Sequence, residues 1–186
     1  MNAVAAYGLL AHGLIFGATV ALLPLGELRQ RAAMIATATA LLAGIAPVMH
    51  TTFGTPSLTL LQLALLQLAN KSPSPFTYRP ALGLLLFAAL FYPAALGWGT
   101  FDPYALGYQP WPLLLTLIPL AAALWWRRQD VWLIILAVDL AAYASGVFAN
   151  LWDVLFDPLL VLLALLIVCR RTLLHPLLRL IAARIR

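Results

Sequence analysis

An all-α, polytopic membrane bundle is the fold class this sequence predicts, and three observations predict it. Hydrophobic residues fill 64% of the 186 positions and charged residues 9%, where a soluble domain has about a quarter charged. Apolar runs close to the length of a bilayer crossing, about twenty residues, recur along the chain. The basic residues stand at the ends of those runs, so the net charge of +5 reads as the positive-inside pattern rather than as a nucleic-acid surface. The expected organisation is one bundle over residues 1–171 and a basic tail over 172–186.

The first run, Ala3 to Leu25, is long enough to span and carries Gly13-x-x-x-Gly17, a close-packing motif between membrane helices. It lacks a basic leader, so it reads as a retained span rather than a cleaved signal. His12 lies near its centre, on the face of Gly8 and Phe16. The second run, Ala32 to Phe53, places Ala36, Ala40 and Gly44 on one small face, and Pro47 is expected to kink it. The third, Pro56 to Asn70, covers only about 22 Å against a hydrocarbon core of about 30 Å. It either crosses where the bilayer thins or is re-entrant, which makes the count seven spans or six.

Lys71 through Pro80 reads as a loop. The fourth run, Ala81 to Trp98, leads into Trp98–Pro112, rich in the aromatic residues that favour the membrane interface. The fifth is Trp111 to Trp126, closed by Arg127 and Arg128. The sixth is Val131 to Asn150. The seventh starts between Leu151 and Pro158 and meets Arg170 and Arg171. From Thr172 on, leucine pairs alternate with Arg179, Arg184 and Arg186, the pattern of an amphipathic helix on an anionic leaflet. With seven crossings, all 11 Lys and Arg residues face one side and Asp102, Asp153 and Asp157 the other. The N-terminus is then outside and the C-terminus cytoplasmic, in a bacterial-type inner membrane.

Asp139 is the leading site candidate, because a carboxylate at mid-bilayer costs at least about 2.5–3.5 kcal/mol on insertion scales. If the sixth run is one helix, Asp139, Tyr143, Gly146, Asn150 and Asp153 share a face, forming a polar stripe towards one surface. The stripe serves either as a proton or cation relay or, as we favour, as hydrogen-bonded glue between helices. His12 stands at a matching depth and is a possible partner for Asp139. On the outer side, His50, Asp102, Tyr104, Trp152, Asp153 and Asp157 are the candidates for a binding surface. Asp102-Pro103 and Asp157-Pro158 also have the form of helix starts. His12 and His50 are expected at different depths, which argues against a bis-His haem. The single Cys169 rules out an internal disulfide, and no phosphate loop or His/Glu metal spacing is present. No cofactor, metal or nucleic-acid partner is expected.

Two function classes fit this patterning. The favoured one is a non-enzymatic subunit or scaffold of a membrane complex, in contact with membrane lipids and with protein partners. Its outer aromatic and acidic surface would meet a partner or a lipid-linked substrate. The alternative is a small proton- or cation-coupled transporter or channel using Asp139, Tyr143 and Asn150. An enzyme ranks third, since Asp102, Asp153 and His50 would have to converge.

Overall fold

The computed structural model of the chain describes residues 3–69 and 74–174, and among these every regular element is helical. The α-helices are α1 (Ala3–Val20), α2 (Arg29–Leu42), α3 (Ile45–Phe53), α4 (Leu58–Ala69), α5 (Tyr78–Ala95), α6 (Trp111–Trp126), α7 (Asp130–Ala144), α8 (Leu151–Leu155) and α9 (Pro158–Cys169). Short 3-10 turns cover Gly26–Leu28 and Tyr104–Gly107, and a π turn covers Arg170–Leu174. The part of the expected basic tail beyond Leu174, like Lys71 of the expected loop, lies outside the described residues.

Three stretches are long and apolar enough to cross a membrane: Ala3–Val20, Tyr78–Ala95 and Leu151–Thr172. A fourth results if Gly26–Leu42 and Ile45–Phe53, bent by 74°, are one broken span. The helix lengths alone therefore support three or four crossings, where the apolar runs predict seven. The runs lose length to breaks. α4 has 12 residues, about 18 Å of helix, less than its run allows.

Each break has a local cause. The second run divides at Gly44, whose φ of 80° is the left-handed conformation that favours glycine. The break precedes Pro47, the expected kink. Pro47 lies in the first turn of α3, where its missing N–H has no helical acceptor to lose. Pro80 is likewise in the first turn of α5, so α5 starts at Tyr78 instead of after the proline. The sixth run stops at Ala144, and Gly146 follows with φ 76°. The seventh has Phe156 extended between α8 and α9, yet Leu151–Thr172 as a whole keeps crossing length.

The chain forms two compact units, Met1–Pro75 with Tyr104–Asp157, and Phe76–Pro103 with Pro158–Arg186. In the first, α1 packs on α2, α3 and α4, α4 packs on α7 and α8, and α6 packs on α7. The α1–α2 approach is close. A Cβ on Gly13 would press on the Leu41 side chain, and one on Gly17 would strike Thr37 and the Ala33 carbonyl. The α2 face that receives these glycines is thus Ala33, Thr37 and Leu41, not the expected Ala36, Ala40 and Gly44 as a set. In the second unit α5 packs on α9, with Ala81, Ala88 and Phe91 of α5 and Leu160 and Ala164 of α9 buried. Arg171 places its guanidinium 4.9 Å above the Tyr78 ring.

Candidate functional site

Asp139 lies in the third turn of α7 and is 1% exposed. Its partners come from α4, the short helix of the third run. The Thr59 hydroxyl donates to Oδ2 at 2.6 Å, and Gln62 Nε2 donates to Oδ1 at 2.8 Å. Gln62 Nε2 also donates to the Ile135 carbonyl at 3.2 Å, one turn back along α7. Thr59 and Gln62 are three residues apart, so one face of α4 presents both donors. Side-chain hydrogen bonds of this kind join membrane helices at about 0.6–2 kcal/mol each.

The loop Gly54–Ser57 between α3 and α4 is the second polar centre. Its Pro56 and Ser57 are fully buried, so its backbone groups need protein partners. His12 Nε2 bonds the Gly54 carbonyl at 2.9 Å and His50 Nδ1 bonds the same oxygen at 3.1 Å. A carbonyl only accepts, so each of these nitrogens carries the proton. In the neutral ring His12 Nδ1 is then an acceptor, and it is buried with no hydrogen-bond partner among the described residues. The Tyr7 hydroxyl donates to the Pro56 carbonyl at 3.1 Å, and the Ser57 amide donates to Asp157 Oδ2. Ser57 Oγ accepts from the Leu60 amide at 3.2 Å and so begins α4. Ordering this loop thereby sets where Thr59 and Gln62 meet Asp139.

A third cluster joins the Tyr104–Gly107 turn to α8. Asn150 is fully buried and caps α8 by accepting from the Trp152 amide at 2.9 Å, while its Nδ2 donates to the Tyr104 carbonyl at 3.2 Å. The Tyr104 hydroxyl donates to Asp153 Oδ1 at 2.9 Å. Burial, with that hydrogen bond beside it, pushes the Tyr104 phenol above its usual value. A Cβ on Gly107 would overlap the Asn150 side chain.

The sequence-derived candidates are therefore regrouped. The single-faced stripe is broken, because Asp139 and Tyr143 are on α7 while Asn150 and Asp153 begin α8 beyond Gly146. His12 and Asp139 take different partners. His12 and His50, expected at different depths, are neighbours with ring centroids 5.8 Å apart. Gly8 makes room for this: a Cβ there would lie 2.5 Å from His50 Cε1. Of the outer candidates, Tyr104, Trp152 and Asp153 come together. Asp157 is buried against Ser57, His50 is at the Gly54 loop, and Asp102 is exposed within the second unit. Asp157 does stand immediately before Pro158 at the start of α9, but Asp102-Pro103 leads only into a 3-10 turn.

Thr59, Gln62, Ser57 and Tyr7 were missed. The available signal for Thr59 and Gln62 was their spacing of three within the largely apolar Leu58–Ala69, whose other polar residue is Gln67. Among the described residues no group of three or more His, Cys, Asp or Glu side chains is placed to hold a metal ion. Comparison with family models, curated proteins and solved structures found no match.

Proposed function

We propose that the chain is a small multi-spanning integral membrane protein of a bacterial-type inner membrane, acting as a non-enzymatic subunit or scaffold of a membrane complex. One observation carries this reading: the buried polar groups bind one another across elements. Asp139, Asn150 and Asp157 each hold a separate segment of the same unit, which braces the unit instead of lining a path. Outward, Met34, Ile35 and Leu42 on α2 and Leu115 and Ile118 on α6 are each at least 65% exposed. Such faces suit lipid tails and the apolar helices of a partner. Tyr104, Tyr108, Trp152 and Asp153 are the remaining outer aromatic and acidic surface. Purification in mild detergent tests the reading: a stoichiometric partner is expected, and recovery of the folded chain alone counts against it.

The proposed topology has seven crossings, with the N-terminus outside and the C-terminus cytoplasmic, supported by the one-sided placement of the basic residues. In a Cys169→Ala background, Tyr108→Cys should react with an impermeant thiol reagent in intact cells and Glu27→Cys should not. Equal labelling of both would mean that α4 does not cross and that six spans is the right count.

The transporter reading draws support from one feature, the irregular loop Gly54–Ser57 between two short helices, whose second half is buried. Unwound segments of this kind form substrate and ion sites in transporters. Substrate-dependent flux in proteoliposomes that is lost in Asp139→Asn would favour it.

A further inference from the structure

We propose that Asp139, Thr59, Gln62 and the Ile135 carbonyl form a binding site for Na+. The first argument is geometric. Gln62 Nε2 sits between two acceptors, 2.8 Å from Asp139 Oδ1 and 3.2 Å from the Ile135 oxygen, and Thr59 Oγ1 is 2.6 Å from Asp139 Oδ2. A carboxylate and a carbonyl oxygen thus flank a position filled by an amide N–H, while the Thr59 hydroxyl holds the other carboxylate oxygen. The terminal torsion of glutamine is soft and roughly two-fold. Turning it replaces Nε2 by Oε1 and changes the amide from a donor into a ligand. The set is then all oxygen, which suits a hard cation.

The second argument is charge. Asp139 is 1% exposed, and its hydrogen-bond partners, Thr59 and Gln62, are both neutral. Neutral donors reduce the cost of a buried carboxylate without cancelling its charge. One carboxylate matches one positive charge, whereas a divalent ion would leave an excess positive charge in the same apolar surroundings. Gln62 is half-buried where Asp139 is 1% exposed, so Gln62 is the more accessible of the two. The inference goes beyond both functional readings, because it concerns what neutralises Asp139 whether the chain is a scaffold or a transporter.

The ion would join α4 to α7, so its binding should appear as stability of the folded chain. The full chain, purified in detergent, is unfolded thermally while NaCl replaces choline chloride at constant ionic strength. The midpoint should rise with Na+ concentration. Asp139→Asn should keep its fold in choline and lose the Na+ response, and Gln62→Leu should need about tenfold more Na+ or above for the same shift. If Asp139→Asn does not fold, equilibrium binding of radioactive sodium to the wild type and to Gln62→Leu decides the question. A wild-type midpoint that is flat in Na+ would overturn the proposal. So would an equal response in Asp139→Asn, or no sodium retained by the wild type.

Discussion

In the unit built from α1–α4 and α6–α8, residues far apart in sequence meet through hydrogen bonds. Thr59 and Gln62 reach Asp139, Asp157 reaches Ser57, and Asn150 reaches Tyr104. The α5–α9 unit packs instead through small and apolar side chains, Ala81, Ala88, Leu160 and Ala164 among them. In the proposed membrane setting, the difference bears on how register is set. Lipid tails are as apolar as leucine, so apolar contact selects a partner helix only through shape. A hydrogen bond selects it through position, because a slip of one residue leaves the donor and acceptor unpaired. The polar unit can therefore tolerate the break at Gly44 between α2 and α3.

The largest expected contrast uses one substitution in both units. Gly17→Ala puts a Cβ against the Ala33 backbone carbonyl as well as Thr37, and backbone cannot move cheaply. Overpacking of this kind costs about 1–3 kcal/mol. Gly83→Ala, on α5, meets nothing within 4 Å among the described residues and should gain about 0.5–1 kcal/mol from helix propensity alone. Thermal unfolding in detergent should shift down for the first and up for the second. Equal shifts would show that the α1–α2 approach is not as close as described.

Asp139→Leu comes next. It leaves Thr59 and Gln62 without their shared acceptor, and a loss of about 1–2 kcal/mol is expected. Asp139→Asn retains an acceptor oxygen and should lose less, so the two variants should rank in that order in unfolding assays. If the leucine variant is the more stable, Asp139 does not clamp α7 to α4.

Arg171→Ala is the smallest. The exposed guanidinium over Tyr78 is worth about 0.5–1 kcal/mol as a cation–π contact. A larger loss would mean that the second unit depends on polar contacts as the first does, and the contrast between the units would fail.

Helical class, apolar runs and the burial of Asp139 were legible in the amino-acid sequence, because composition and charge placement act locally along the chain. The boundaries of α6 were legible too: Trp111–Trp126 matches its run. The polar stripe was not, because periodicity cannot register that Gly146 turns the chain with a positive φ. The sequence by itself determined that a carboxylate would be buried in apolar surroundings and would need partners. Only the tertiary structure decided that those partners are Thr59 and Gln62, 80 and 77 residues away. It likewise brought His12 and His50 to one carbonyl, through the break at Gly44 and the space beside Gly8. The physical reason is the same in both cases: burial cost is a property of a residue and its depth, whereas its relief depends on which helix the fold places opposite.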